Sequence, residues 1–354
     1  MKILAVTNMY PTAANPWLGN FVEQQVKGLC EIGMEVEVLL LDRAVEGART
    51  YFRMREQIRK RLSQGKHDLV HIMYSGVMAD LATRGLDPLP SVITIHGSDL
   101  MGERLSDPIR RFSAHVGVLA TRRAAKRATG IIVVSNRLRD ALPLEIERSK
   151  VRVIPCGIDL NRFKPEDAVE CRRKLGWRAD TYHVLFATNG NPVKRPELAR
   201  KTVELLKQRG VGVELHEMRG IPYSDVTTWI NASHAMILTS LTEGSPTIVK
   251  ESLACNVPVV SVDVGDVIER TTGITGCHVV GATVNDLARG LQEAVSVRNL
   301  VDGRSRMQEL SIIRIAERIG DFYREILTAH KAMNAISDGR PEQILNEAGT
   351  RRQP

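Results

Sequence analysis

The sequence predicts an α/β protein made of two doubly wound parallel-sheet domains that face each other across a cleft. Three observations carry this reading. Short apolar runs alternate with segments of helical periodicity along most of the 354 residues. That is the pattern of repeated β-α-β units with strands covered on both faces. The alternation is interrupted by the polar stretch Leu160 to Asp167, which contains Pro165, and then restarts. A chain of this length is also ample for two cores of ordinary size.

Taken in order, Ile3 to Thr7 reads as a first strand. Phe21, Val22, Val26, Leu29 and Cys30 then recur at helical spacing until Gly33 ends the helix. Glu35 to Leu41 is a strand, Arg53 to Leu62 a basic helix, and Asp68 to Tyr74 and Ser91 to His96 are further strands. A long helix is expected over Asp107 to Ala128, a buried strand over Gly130 to Ser135, and a strand running into a turn over Val151 to Asp159. In the second half the expected strands are Tyr182 to Thr188, Val211 to Glu217, Ala235 to Ser240 and Pro258 to Val264. The expected helices are Pro196 to Arg209, Tyr223 to Ala232, Ile248 to Ala254, Thr283 to Val297 and Ile312 to Lys331. These readings divide the chain into a first domain of 1–160, a second of 161–311, a helix of 312–335 and a tail of 336–354. The tail is rich in polar residues, Gly and Pro, and reads as frayed.

Composition narrows the function classes. Hydrophobic residues at 43% and charged residues at 25% are those of a soluble globular protein. No apolar run approaches the roughly 18 to 20 residues of a membrane helix. Met1 to Asn8 reads as a first strand rather than a leader. Five scattered cysteines without metal-ligand spacing predict reduced thiols and a cytoplasmic protein. The net charge of +8 concentrates between Arg49 and Lys66 and between Arg104 and Arg139. Such clusters are solvated helix faces or sites for anionic ligands or acidic lipid headgroups. Nucleic acid is not expected as a partner, because aromatics are only 4% and none is interleaved with the basic residues as a stacking platform.

The richest stretch is Glu243-Gly-Ser-Pro-Thr-Ile-Val-Lys-Glu251, between an apolar strand and a helical segment. Pro246 suits the first turn of that helix. The turn aims unpaired N–H groups and a positive dipole end over the sheet, where a phosphate is favoured. Gly244, Ser245, Pro246, Thr247 and Ile248 form this anion-binding turn. A carboxylate stands on either side, and each suits a vicinal diol. A nucleotide sugar would fit: diphosphate in the middle, ribose at one end, hexose at the other. Three loops could complete the site. Gly19-Asn20 precedes the first helix and allows close backbone approach to phosphate. His96 ends a strand beside Gly97, and Lys194 with Arg195 puts two cations at another strand exit. The absence of GxGxxG after the first strand argues against a dinucleotide oxidoreductase.

These residues resemble the retaining glycosyltransferases of the GT-B fold, glycosyltransferase family four. The segment from Glu243 to Glu251, followed by Ser-Leu-Ala-Cys-Asn-Val-Pro-Val-Val, is similar to that family's E-x7-E signature. Supporting matches are Pro16 to Val22, His96-Gly-Ser-Asp99, and Ile154 to Phe163 at the domain junction. The family's Gly-Arg before the lysine is absent here, Cys156 and Asn256 stand where Asn and Gly are usual, and Ser245 replaces a common Phe. The resemblance implies a sugar transferred from a UDP- or GDP-sugar to an acceptor hydroxyl, such as that of a glycan or lipid-linked precursor in polysaccharide biosynthesis. By position, Glu243 would bind the sugar, Glu251 the ribose, and Ser245 to Ile248 the diphosphate. Lys194 and Arg195 would neutralise the leaving group, Gly19 would pack against the diphosphate, and His96 would lie near the reacting carbon. The last helix would cross back to the first domain. No DxD motif or His/Asp ligand cluster is apparent, so no metal is expected. Alternatives in the same fold are an epimerase, a phosphorylase, or a module that binds a nucleotide sugar without turnover.

Overall fold

The computed structural model describes residues 1–337 except 16–17, 43–44, 46, 48, 87, 103–106 and 298–299. The tail expected beyond 337, together with Pro16 and Arg104, lies outside the described residues. The first sheet contains β1 (Lys2–Thr7), β2 (Glu35–Leu40), β3 (Leu69–Ile72), β4 (Ser91–Ile95), β5 (Gly130–Val133) and β6 (Val151–Val153). Its order is β2-β1-β3-β4-β5-β6. The second contains β7 (Tyr182–Ala187), β8 (Val213–Met218), β9 (Ala235–Leu238), β10 (Val259–Ser261) and β11 (His278–Val279), in the order β11-β10-β9-β7-β8. Every pairing is parallel.

The central strands β3, β4, β5 and β9 are buried along their whole length, as expected of strands covered by helices on both faces. The edge strands β2 and β8 instead carry Glu35 and Glu37, and Glu214, His216 and Glu217, charges that protect an open edge. Both sheets reverse direction beside their first strand, between β1 and β3 and between β7 and β9. Ligands of doubly wound sheets bind outside the carboxyl ends at such switch points.

Several strands end earlier than the apolar runs predict. The strand expected over 235–240 stops at Leu238, because Thr239 and Ser240, although fully buried, turn their carbonyls toward the Arg195 side chain instead of extending the ladder. Short helices over Val77–Ala82, Asn136–Ala141, Ala168–Leu175 and Val267–Thr271 were not expected from periodicity.

The last helix, Ile312–Ser337, returns to the first domain. It packs against the helix Asn20–Glu31 and lays Phe322 and Ile326 over Gly130. Tyr323 is fully buried, and its hydroxyl is 2.5 Å from His71 Nδ1 under the first sheet. His71 Nε2 is 2.7 Å from Thr94 Oγ1. The junction is tied by Arg304, which donates to the carbonyls of Leu160, Phe163 and Ala254.

Candidate active site

The second domain supplies the more exposed chemistry. β9 delivers the chain to Glu243, and the helix Thr247–Ala254 begins just beyond it. Pro246 is the residue before this helix, with φ −65° and ψ 117°, rather than a member of its first turn as predicted. Having no N–H, it cannot contribute a donor. The amides of Ser245, Thr247 and Ile248 have no hydrogen-bond partner among the described residues, so they remain available to an anion at the positive end of the helix.

The two carboxylates differ. Glu243 Oε1 accepts from Lys194 Nζ at 2.6 Å and from Ser240 Oγ at 2.6 Å. Glu251 is 8% exposed, and its carboxylate makes no hydrogen bond among the described residues. Burial pushes its carboxyl up to about 7, and the charges of Lys250 and Arg162 partly oppose that shift. A buried acceptor without a donor is costly. Two hydroxyl groups of a ligand would supply the missing donors. Beside it, Tyr223 carries the Arg162 guanidinium on its ring face at 4.6 Å, and its hydroxyl accepts from Gln24 Nε2 of the first domain at 2.5 Å.

Arg195 does not stand free beside Lys194. Its Nε donates to the Thr239 carbonyl at 2.5 Å and its guanidinium reaches the Ser240 carbonyl at 3.2 Å. It also caps the helix Pro196–Gln208 with φ 50°. Besides the phosphate contact expected of it, the side chain holds the β9 exit in place.

The first domain's contributions are largely satisfied internally. Gly19 has φ 74°, and a Cβ there would lie 2.3 Å from the Met9 carbonyl group. The glycine is thus required by its own loop, with Asn20 opening the helix behind it. His96 Nε2 lies 3.0 Å from the Met73 carbonyl. Since a carbonyl only accepts, Nε2 carries the proton and Nδ1 keeps its lone pair, which faces Cys156 Sγ at 3.8 Å. Burial lowers the imidazole to about 4, so the ring is neutral. Tyr74 stacks on it and Phe21 tilts against it. Asp99 accepts from the amides of His96 and Gly97 and fixes the turn.

The domains meet backbone to backbone at this point. A Cβ on Gly244 would lie 1.6 Å from the His96 carbonyl oxygen, so only glycine allows the approach. Beside the contact is a cavity of about 230 Å³ lined by Met101, Arg137 and Leu138 from one side and by Val193, Glu243 and Val264 from the other. Arg137 bridges the domains through Asp263, at 3.3 Å to its carbonyl and 3.5 Å to its carboxylate.

Sequence reasoning missed Lys250. Its ammonium is fully buried and donates to the Cys156 carbonyl and to Ser245 Oγ, each at 2.9 Å. Ser245 Oγ in turn donates to Asp266 Oδ2 at 2.8 Å, and Asp266 also accepts from Arg270 Nε. The available signal was a lysine in a short helix whose every residue from Ile248 to Ala254 is buried.

The fold sets the carboxyl ends of two Rossmann-like sheets toward one cleft, the GT-B architecture. The chain belongs to the GT-B glycosyltransferases: the Glycosyltransferase Family 4 model matches residues 23–162 and the Glycosyl transferases group 1 model residues 170–296. Among curated relatives, TuaC of Bacillus subtilis, assigned to teichuronic acid biosynthesis as a glycosyltransferase, is 26% identical over 75% of this chain and 82% of its own length. The D-inositol 3-phosphate glycosyltransferase of Pseudarthrobacter chlorophenolicus is 25% identical over 59% of this chain and 58% of its own. Among solved structures, sucrose-phosphate synthase of Thermosynechococcus elongatus superposes with a TM-score of 0.74 at 17% identity, covering 93% of this chain and all 100% of that one. Anabaena HepE in complex with UDP-glucose gives 0.65 at 16% identity, covering 91% and 98%.

Proposed function

We propose that the protein is a retaining hexosyltransferase that moves a sugar from a nucleoside diphosphate sugar to an acceptor hydroxyl without a metal in the transfer site. The observation that carries this is the buried, unpartnered Glu251 beside the free amides of Ser245, Thr247 and Ile248, with the Lys194–Glu243 pair beyond them. Glu251 takes the ribose diol, the amides take the diphosphate, and Glu243 takes the hexose hydroxyls. Lys194, released from Glu243 toward the phosphate, meets charge that grows as the glycosidic C–O bond breaks. The leaving diphosphate then accepts the acceptor's proton on the same face, which retains the anomeric configuration. Arg195 acts by holding the Thr239–Ser240 backbone that precedes Glu243. The donor is a UDP- or GDP-sugar, and the HepE complexes with UDP and UDP-glucose support this class.

The acceptor is a glycan or lipid-linked precursor reached at an acidic membrane surface on the cytoplasmic side. Phe52, Ile109 and Phe112 are 86%, 80% and 70% exposed on the arginine-rich helices Arg49–Gln64 and Pro108–Arg127, which both pack against Val77–Ala82. Exposed apolar side chains among cations suit an interfacial surface. No described helix is long and apolar enough to cross a membrane.

Titration with a panel of nucleotides, followed by donor turnover in the presence of a chelator and NMR of the product's anomeric proton, tests the reading. Tight UDP or GDP binding, chelator-resistant turnover and a retained anomer are expected. An inverted product overturns retention, loss of turnover in chelator overturns metal independence, and binding without turnover makes the protein a nucleotide-sugar module. Co-sedimentation with acidic vesicles at physiological salt tests the membrane surface, and no binding there rejects it.

A further inference from the structure

At the opposite end of the second sheet lies a cluster that the transfer site does not use. The sequence reading found no His ligand cluster, and the structure corrects this. Glu214 and His216 are two apart on β8 and therefore share one face. The parallel register places His183 of β7 beside Glu214 and Leu185 beside His216, which brings His183 to the same spot. His183 is fully buried.

The details of the three side chains fit a metal ion better than a polar contact alone. His183 Nε2 lies 2.7 Å from the Arg178 carbonyl. It must carry the proton, which leaves the Nδ1 lone pair aimed at the cluster. A backbone carbonyl that fixes the tautomer and orientation of a ring in this way is the usual outer support of a metal-binding histidine. His183 Nδ1 is 2.9 Å from His216 Nε2, and Glu214 Oε2 is 3.9 Å from the first and 3.8 Å from the second. The carboxylate is thus too far to hydrogen-bond either ring, yet it faces both. Around a tetrahedral ion with bonds of roughly 2.0–2.1 Å, ligand atoms stand about 3.3 Å apart, and the three observed separations bracket that value. Trp177 stacks on His216 with ring centroids 3.5 Å apart and walls the site on one side. Glu214 is part-exposed, leaving an approach from solvent.

We propose that His183, Glu214 and His216 form a site for a divalent transition metal, Zn²⁺ by its donor set of two imidazoles and a carboxylate, with water in the fourth position. The site is a clip. It fastens β8, the exposed edge strand, to β7 and to the Trp177 segment. It stands at the amino ends of these strands, whereas Glu243 and Lys194 lie beyond the carboxyl ends of β9 and β7, so the ion takes no part in sugar transfer.

The test uses the full chain, stripped with a chelator and dialysed against Zn²⁺ or Co²⁺. Expected are one bound Zn²⁺ per chain, a rise in Tm on loading, and the visible absorption of tetrahedral Co²⁺, with nucleotide affinity unchanged. His216→Gln and Glu214→Gln should each lower Zn²⁺ affinity at least tenfold and remove the Tm rise. X-ray absorption of the loaded wild-type chain should show imidazole ligands, and this decides the matter even if a variant fails to fold. A folded wild-type chain that retains no Zn²⁺, or variants that bind it as the wild type does, would overturn the proposal.

Discussion

In the first domain the candidate groups named from the sequence are held within their own domain: His96 by the Met73 carbonyl, Asp99 by the turn amides, Gly19 fitted against Met9. In the second domain the corresponding switch point leaves Glu251 and three amides without partners and sets Lys194 on Glu243. Both halves share one strand order, 2-1-3-4-5 with one extra strand in the first, so topology does not cause the difference. It lies in where polar groups remain unsatisfied. A ligand gains most by supplying hydrogen bonds that the protein lacks. In the function proposed above, the second domain is the donor side, and the first closes the cleft over it with Arg137 reaching across to Asp263.

The contrast can be broken at several points. The largest effect is expected from Lys250→Met, which removes the buried cation under the donor half. The variant should lose about 3–5 kcal/mol of stability, since the Cys156 carbonyl and Ser245 Oγ each lose a buried hydrogen bond from a charged donor. Urea unfolding measures this, and a loss under 1 kcal/mol would show that the Ser245–Asp266–Arg270 chain does not depend on Lys250. Glu243→Ala should lower kcat/KM roughly 10- to 150-fold, the equivalent of about 1.5–3 kcal/mol for a hydrogen bond to a charged group. Wild-type turnover would remove Glu243 from the sugar site.

A third test concerns pH. The Glu251 carboxyl ionises at about 7 in the free protein, and only the carboxylate can accept from both ribose hydroxyls. Donor hydroxyls thus favour the ionised form. Donor affinity should rise as pH rises toward 7 and level off above it, with the step visible in kcat/KM. Glu251→Gln should raise donor KM about tenfold and abolish the step, and a variant that kept it would assign the ionisation elsewhere. The opposite sign applies to stability without donor. A carboxyl raised by burial makes the fold less stable as pH climbs from the ordinary carboxylate range through 7. His96, lowered to about 4, should add no step to kcat/KM between pH 5 and 9. The smallest effect is expected from Gln24→Ala, which deletes the Tyr223 bond across the cleft. About 1 kcal/mol of donor affinity should be lost, measured by calorimetry, and no change would show that the first domain adds nothing to donor binding.

Much of the architecture was legible because buried parallel strands announce themselves as unbroken apolar runs, as in Ala235 to Leu238. The short helices were harder to see. Ala168–Leu175 has too few turns for a visible stripe, although Asp167 accepts from the amides of Val169 and Glu170 and Gly176 closes it in the left-handed region. Reading caps before periodicity would have found it. In the site, Glu243, Glu251 and Lys194 could be named from position, because strand exits are where such sheets bind. The engagement of Arg195 could not, since it depends on carbonyls more than forty residues away in sequence. The partners of Lys250 and the meeting of His183 with His216 were hidden for the same reason. A parallel register is set by helices that lie between the strands, and local spacing does not encode it.

The chain passes between the domains at two described places, and these crossings lie side by side. The Ile158 amide donates to the Leu310 carbonyl at 2.8 Å and the Ile312 amide to the Ile158 carbonyl at 3.1 Å, forming a single parallel bridge between Ile158 and Ser311. Two covalent connections bonded to each other behave like the spine of a book. Sliding or twisting of one domain past the other would tear that bridge, and the contact of Gly244 with the His96 carbonyl is where the covers meet.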